Sequence, residues 1–530
     1  MTKPSLPLGA LLGAFTSLAI IALFRLGESL AGFPFLPFDL FDWMARLLPG
    51  PVITFGIDSM VAIIRALQLG PTDSTAKLAE QILAILQLVA GGAVFGGVLA
   101  WFAQRSTTGL VWRGILGGTI LFAISAIAEG ALGNTDVGGV IWIAFLLLGW
   151  GAALGYVVSV FGPDRAAEPE RRLGRRGFLY LVGGGVVSIT VGSLALSRPR
   201  ASAGPTPQPG TEVIDPSLTS GPAASPPADI LAARIEPAAG TRAEITANAD
   251  FYRIDINTRP PTVEESTWRL KVEGLVSKPL SLSLDDLRAR PSVTQAITLQ
   301  CISNPIAGDL TSTSLWTGVR FKDLLAEAGM LSAAKEAFIE STDGFYESVD
   351  MRDLEDERTL LVYAMNGLPL PIEHGFPLRV YIPNRYGMKQ PKWIERIELI
   401  DHEGEGYWVE RGWSAEARPQ TVSVIDAVVR APENPASPSL PVGGIAYAGA
   451  RGISKVEVQV DEGLWAEAVL RTPAVSPLTW VQWRYDWPYQ AGSHTFRVRA
   501  YDREGILQVT DRQPTRPDGA TGIHEVTVDV

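Results

Sequence analysis

The chain has 530 residues, a formal net charge of −11 and 47% hydrophobic residues. This length accommodates about three domains of ordinary size. The acidic balance argues against a general nucleic-acid-binding protein, because no basic surface dominates. The mean hydropathy of +0.17 is high for a soluble protein, and the apolar residues are concentrated before residue 200.

The N-terminal part contains several apolar stretches long enough to cross a bilayer, for which about 20 residues suffice. These predominantly uncharged stretches lie at 6–24, 78–102, 110–132, 140–161 and 177–195. Residues 33–70 are also apolar but are interrupted by prolines and charges. We predict interfacial or re-entrant helices there, with a true span at 52–69 as the alternative. The sequence therefore predicts an α-helical transmembrane domain at 1–196 with about five or six spans.

Arginines indicate which side of the membrane each connection faces. Arg105 and Arg113 flank one short connection, and a run from Arg165 to Arg176 flanks another. By the positive-inside rule both face the cytoplasm, so the span after Arg176 carries the rest of the chain to the periplasmic or extracellular side. The pair Arg175-Arg176 before a glycine-rich apolar segment also resembles a twin-arginine export signal. Ordinary positive-inside flanking is the alternative explanation.

The membrane segment contains no histidine, because the four histidines lie at 374, 402, 494 and 524. A bis-histidine b-type haem is therefore not expected among these helices. We predict no haem in the membrane domain. Electrons exchanged with the membrane would pass to a quinone or to another protein such as a cytochrome, and the alternative is that the helices only anchor the chain.

Three further regions follow the membrane domain. Residues 197–240 are rich in Pro, Ala and Ser and cannot bury a core, which predicts a flexible linker. Strands and short helices then alternate, with a helix expected after Ser283 as its cap, so we predict an α+β domain at 241–418. Short strands at hairpin spacing predict an all-β sandwich at 419–530.

Cys301 is the only cysteine of the chain and lies where an apolar, β-prone run gives way to a loop. A lone cysteine forms no intrachain disulfide. It is a buried small hydrophobe, a nucleophile or a ligand of a soft metal. Downstream, residues 319–329 predict an amphipathic helix that Gly329 closes.

Residues 374–393 are dense in cations and hydrogen-bond donors. A strand would fix Arg379, and a turn at Gly387 would bring two lysines back toward it. A guanidinium offers a planar fork to a phosphate, whereas lysines supply point charge. The candidate ligand-binding side chains are His374, Arg379, Lys389, Gln390 and Lys392.

Together these motifs resemble the sulfite-oxidase family of molybdopterin-dependent oxidoreductases. The matching elements are L-x-C-x-S-N at Cys301, S-x-W-x-G-V at Trp316, the F-x-D-L-L-x-x-A-G helix, and the H-G-F-P-x-R, Y-G-x-K and K-W elements from His374 onward. The resemblance covers roughly 244–530. It implies a molybdenum–molybdopterin cofactor with Cys301 as the protein's one bond to the metal.

The resemblance also implies which side chains contact the pterin or its phosphate. The implied contacts are Asn248, Phe251, Tyr252, Arg253, Ser341, Asp343, His374, Arg379, Lys389, Gln390 and Lys392. The C-terminal sandwich is similar to the Ig-like dimerisation domain of the family, so a homodimer is one alternative for the assembly.

The substrate side departs from sulfite oxidases, which surround the metal with arginines. No cation follows Cys301 up to Asp309, and the segment at 407–414 offers Arg411, the predicted catalytic cation. We expect a small-molecule substrate, either an oxyanion or an S- or N-oxide, and two-electron oxygen-atom transfer. The alternatives are a sulfoxide or N-oxide reductase of the same fold and a non-catalytic, membrane-tethered Ig-like binding protein.

Overall fold

The computed structural model describes residues 5–106, 108–134, 136–160, 235–429 and 439–530. They divide into two compact units: the first contains the helical residues up to 64 and from 75 to 160, and the second contains residues 65–74 and the sheets after residue 235. The span predicted at 177–195, the arginine pair at 175–176 and most of the predicted linker lie outside the described residues.

Helices make up the first unit. They are α1 (Leu6–Ala31), α2 (Leu36–Leu47), α3 (Gly50–Ala66), α4 (Thr72–Ala103), α5 (Leu110–Ala131) and α6 (Val137–Val160). Within the described part of the chain, α1, α4, α5 and α6 are long and apolar enough to cross a membrane. The first helix continues beyond the predicted end at 24, because Arg25 and Glu28 pair with each other one turn apart.

Glycines allow the helices of the first unit to approach closely. A Cβ added to Gly13 would lie 1.9 Å from the carbonyl oxygen of Gly92, and one added to Gly114 would lie 2.0 Å from that of Gly151. Small residues at such crossings are typical of helices that pack within a bilayer. This packing agrees with the apolar, span-like character of the four helices.

Up to Ile400 the second unit contains one mixed sheet, one antiparallel sheet and three short helices. The strands are β1 (Leu270–Gly274), β2 (Leu280–Leu282), β3 (Val293–Gln300), β4 (Thr311–Arg320), β5 (Glu336–Ser341), β6 (Tyr346–Asp350), β7 (Leu360–Met365), β8 (Leu368–Pro369), β9 (Arg379–Tyr381) and β10 (Ile394–Ile400). The helices are α7 (Leu284–Arg288), α8 (Phe321–Ala328) and α9 (Met351–Leu354). One sheet has the order β2-β1-β10-β5-β6, and the other has the order β3-β4-β7-β8 with β9 paired to β7.

Local sequence accounts for the ends of two helices. Ser283 caps α7 in a capping box with Asp286, as its position predicts. Gly329 ends α8 in the left-handed conformation at φ 65°, also as predicted. The predicted start of α8 is wrong by two residues, because Val319 still pairs with Leu361 as part of β4.

The C-terminal part contains two antiparallel four-stranded sheets. Their strands are β11 (Val422–Val428), β12 (Ser439–Tyr447), β13 (Ile453–Val460), β14 (Ala466–Glu467), β15 (Val469–Leu470), β16 (Val481–Pro488), β17 (Ser493–Asp502) and β18 (His524–Asp529). The sheet orders are β11-β12-β16-β15 and β14-β13-β17-β18. Val442 and Trp483 of one sheet share a core with Val456 and Phe496 of the other. The Ig-like identity of this region and the boundary at 418/419 stay predictions.

Candidate functional site

Cys301 is the first residue after β3 and opens a tight turn. Its N–H donates to the carbonyl of Leu310 at 3.0 Å, and its carbonyl accepts the N–H of Asn304 at 3.0 Å. The sulfur lies 3.0 Å from the hydroxyl oxygen of Ser303. Burial raises the pKa of the thiol, and hydrogen bonds from Ser303 oppose that rise. The thiol is therefore held in place by a closed turn and has a polar neighbour.

Aromatic side chains that precede the first sheet surround this turn. A Cβ on Gly387 would lie 3.0 Å from the Tyr252 hydroxyl and 3.6 Å from the carbonyl oxygen of Gln300, the residue before Cys301. Burial raises the pKa of Tyr252 well above its usual range, and the thiol of Cys301 adds to the rise. The structure thus brings the predicted Tyr252 close to Cys301.

His374 connects the aromatic group to the cations. Its ring packs edge-on against Phe251 at 5.3 Å between centroids, and its Nε2 lies 3.1 Å from the carbonyl oxygen of Asn248. Burial, together with the charges of Lys392 and Arg379, lowers the pKa of His374 to about 3. The ring is therefore neutral near pH 7, and since a carbonyl only accepts, Nε2 carries the proton.

Arg379 is a buried cation without a carboxylate partner among the described residues. Its side chain donates to the His374 carbonyl at 3.0 Å, and its guanidinium lies 4.9 Å from the centroid of the Trp316 ring. Burial lowers its pKa to about 10, so it stays charged near pH 7. A buried charge is costly unless an opposite charge compensates it. The surroundings of Arg379 therefore fit an anionic group.

Two further cations stand beside Arg379 and share one carboxylate. Lys392 pairs with Arg379 across a β-bridge, and its ammonium lies 3.6 Å from the carboxylate of Asp255. The guanidinium of Arg253 contacts the same carboxylate at 2.6 Å. Burial lowers the pKa of Lys392 to about 8, although Asp255 opposes the shift. These cations and His374 form what we call the cation cradle (Arg253, His374, Arg379 and Lys392).

Three other predicted contacts carry polar groups into the interior. The hydroxyl of Ser341 and the carboxamide oxygen of Gln390 are buried and have no hydrogen-bond partner among the described residues. Asp343 accepts the N–H of Phe345 at 3.0 Å and contributes to the electrostatic surroundings of Lys392. Buried polar atoms without partners are rare, so an acceptor or donor from a ligand is a natural complement. Together with the thiol and the cation cradle, this set fits an anionic pterin with a thiophilic metal.

Lys389 points toward a buried carboxylate. Its ammonium lies 2.7 Å from Oε1 of Glu347 and donates to the Ser348 carbonyl at 3.1 Å. Glu347 is fully buried, and a Cβ on Gly406 would lie 1.8 Å from its Oε1. Burial raises the pKa of Glu347 to about 7, although Lys389 opposes the shift. Any contact of Lys389 with the pterin stays a prediction.

Replacing Glu347 with glutamine should flatten the pH dependence of stability. The pKa of Glu347 is raised from 4.5 to about 7, so the folded protein holds a proton there that the unfolded chain releases above pH 4.5. The free energy of unfolding should therefore fall as pH rises through this window, by up to about 1.4 kcal/mol per pH unit. Thermal melting of wild type and Glu347→Gln at pH 5 and pH 7.5 measures the difference. An equal pH dependence in both proteins would contradict the assignment.

Arg411 is held by its own segment. Its guanidinium donates to the Tyr407 carbonyl at 2.7 Å, stacks over the Tyr407 ring at 3.6 Å and lies 3.6 Å from the Glu410 carboxylate. Within the described residues these contacts do not include Cys301. The residue after Cys301, Ile302, instead packs with Trp413 in an apolar cluster. A catalytic role for Arg411 stays a prediction.

Sequence reasoning did not single out three residues of this site. Ser303 lies inside the motif around Cys301, and its signal is the position two residues after the thiol. Asp255 follows Arg253 by two residues, a spacing that places both side chains on one side of an extended segment. Glu347 carries no comparable signal, because an acidic residue on a short strand is usually solvated.

Comparisons with known proteins identify a molybdopterin-binding region in this chain. The family model described as "Oxidoreductase molybdopterin binding domain" matches residues 257–408. The chain is 31% identical over 304 residues to mitochondrial sulfite oxidase of Mus musculus, which covers 49% of this chain and 54% of that protein. It is 33% identical over 160 residues to the uncharacterized oxidoreductase YuiH of Bacillus subtilis (strain 168), covering 30% of this chain and 79% of that protein.

A further relative is the putative protein-methionine-sulfoxide reductase subunit YedZ1 of Azospira oryzae. The identity is 31% over 152 residues, covering 29% of this chain and 56% of that protein. The chain spans about half the length of the mammalian sulfite oxidases that it matches. The matched region of the family model contains Cys301, His374, Arg379 and Lys392.

Proposed function

The chain belongs to the sulfite-oxidase family of molybdopterin-dependent oxidoreductases, and we propose that it performs two-electron oxygen-atom transfer at a molybdenum bound by Cys301. The observation that supports this proposal is one neighbourhood that holds a fixed thiol and a buried cation lacking a carboxylate partner. Aromatic rings link the two, because Tyr252 lies near the backbone of Gln300 and stacks on Phe251. Phe251 in turn packs against the Trp316 ring that faces Arg379. A thiol and a phosphate-binding cradle in one site suit a metal–pterin cofactor better than they suit a reaction in which the thiol is the nucleophile.

The side chains of this site have separable tasks. The bound cofactor supplies the redox chemistry, and the protein supplies binding, orientation and electrostatics. Arg379 and Lys392 would bind the phosphate, with Arg253 adding charge through the shared Asp255. The neutral His374, whose Nε2 proton is directed at the Asn248 carbonyl, would accept a hydrogen bond at Nδ1 without adding charge. The turn at Cys301 would orient the sulfur toward the metal.

The membrane helices support a place for the reaction at a membrane. Four described helices are long and apolar enough to span a bilayer. The arginine pattern of the sequence favours the outer face for the catalytic part. In that arrangement a quinone or a cytochrome would exchange electrons with the cofactor.

Reduction of a neutral S- or N-oxide is the second candidate function. This candidate is favoured by the contacts of Arg411, whose guanidinium already binds the Tyr407 carbonyl and the Glu410 carboxylate. Ile302 and Trp413 make the neighbouring surface apolar. An oxyanion needs cations to compensate its charge, whereas a neutral S-oxide does not. The sulfoxide-reductase name of the Azospira oryzae relative is consistent with this candidate.

The test uses the full chain purified in mild detergent from a host that synthesises molybdopterin. We expect molybdenum in a stoichiometric amount relative to the protein, and turnover either as an oxidase or as a reductase. Sulfite and related oxyanions with an artificial electron acceptor test the oxidase, and S- and N-oxides with a reduced viologen test the reductase. Protein without molybdenum would overturn both and favour the non-catalytic, membrane-tethered binding protein.

A further inference from the structure

We propose that Ser303 is a positioning residue for the metal-binding sulfur, and that its hydroxyl donates a hydrogen bond to the Cys301 thiolate and raises the reduction potential of the bound metal. The inference rests on the proposed function, because it concerns the sulfur assigned there to the metal. It goes beyond that function by naming a second residue that acts on the metal through its ligand.

The geometry of the turn places Ser303 at the sulfur. The hydroxyl oxygen lies 3.0 Å from the sulfur, and the N–H of Ser303 also acts on the thiol. In an Asx turn, the side chain of the first residue accepts a hydrogen bond from the N–H of the third residue. Here sulfur takes the place that an oxygen has in Asp or Asn. The hydroxyl of Ser303 is therefore the donor that the structure places against the sulfur.

The hydroxyl of Ser303 has no competing partner among the described residues, since its one hydrogen bond there is to the sulfur. A thiolate bound to a metal carries no proton and can only accept. In the loaded protein Ser303 must then be the donor. The orientation of this hydrogen bond is fixed by chemistry, although the metal-free thiol could donate as well.

The turn itself is held firmly. The N–H of Cys301 donates to the carbonyl of Leu310 at 3.0 Å. The N–H of Leu310 donates in return to the side-chain oxygen of Asn304 at 3.0 Å. Residues 301 and 304 are therefore both tied to Leu310, with Ser303 between them. The backbone of Ser303 is therefore restrained beside the sulfur, within reach of its hydroxyl.

A hydrogen bond to a metal-bound sulfur withdraws electron density from it. The sulfur then donates less to the metal, which disfavours the oxidised state and raises the reduction potential. We expect removal of the hydroxyl to shift the equilibrium between oxidised and reduced metal about tenfold toward the oxidised form. For a one-electron step this shift corresponds to about 59 mV.

The experiment compares Ser303→Thr with Ser303→Val, two variants of nearly equal shape of which only threonine keeps the hydroxyl. Ser303→Ala provides the smallest change. Ser281→Ala is the matched control, because Ser281 is an exposed serine on β2. Redox titration of the molybdenum signal by electron paramagnetic resonance gives the potential, and metal analysis gives the loading. We expect lower potentials in the valine and alanine variants and wild-type potentials in the threonine and Ser281→Ala variants.

Equal potentials in the loaded valine, threonine and wild-type proteins would overturn the inference. A threonine variant that shifts as far as the valine variant would also overturn it, because the hydroxyl would then not be the cause. A different result would contradict the proposed function, namely wild-type protein that contains no molybdenum. Loaded wild-type protein with an unchanged potential in the variants leaves the proposed function standing and removes the inference alone.

Discussion

Replacing Cys301 with serine should abolish turnover while the fold and the pterin are largely retained. A hydroxyl is a poor ligand for a metal that prefers sulfur. Loss of an outer-shell partner alone costs about 10- to 100-fold in activity or metal affinity, so loss of the ligand itself should exceed about 100-fold. Turnover, molybdenum content and pterin fluorescence of the purified variant measure these effects.

The retained fold follows from the backbone of the turn. The hydrogen bonds of Cys301 with Leu310 and Asn304 use main-chain atoms and do not need the thiol. The serine variant should therefore melt near the wild-type temperature, which separates a chemical defect from unfolding. Wild-type turnover in Cys301→Ser would remove the thiol from the mechanism.

Replacing Arg379 with glutamine should weaken retention of the pterin. A hydrogen bond to a charged group contributes about 1.5–3 kcal/mol, which corresponds to roughly 10- to 150-fold in binding. Arg379→Lys should restore the charge but only part of the retention, because an ammonium lacks the planar fork that matches phosphate. Pterin fluorescence after gel filtration measures the retained fraction. Arg352→Gln is the control, because the Arg352 side chain is 88% exposed.

In the cofactor-free protein, we expect the same substitution to leave stability unchanged or to increase it. In the cofactor-free wild type Arg379 is a buried charge without a carboxylate partner in the described structure. Removing it relieves an electrostatic cost, so cofactor-free Arg379→Gln should be at least as stable as cofactor-free wild type. A variant that keeps its pterin as well as wild type would contradict the phosphate assignment.

Local rules predicted several elements of this fold. The position of Cys301 after a strand follows from the β-prone run that ends at Gln300, and the end of α8 follows from Gly329. The four described spans follow from hydropathy and length alone. These features depend on neighbours in sequence, which is why one sequence was sufficient to place them.

Features that depend on distant residues were not predicted. The Lys389 side chain pairs with Glu347, which lies on β6, 42 residues earlier in the chain, and this pairing became visible only with the fold. The acceptor of Arg411, the Tyr407 carbonyl, lies only four residues away, but the spacing alone does not show that the guanidinium folds back onto it. The sequence thus named candidate site residues, whereas their pairings came from tertiary structure.

The neutral ring of His374 makes the cradle insensitive to mild acid. With a pKa of about 3, the ring gains no charge when the surroundings become weakly acidic. Lys392, with a pKa of about 8, loses its charge on the alkaline side instead. The cofactor-free cradle should therefore keep its charge in weak acid and lose positive charge above about pH 8.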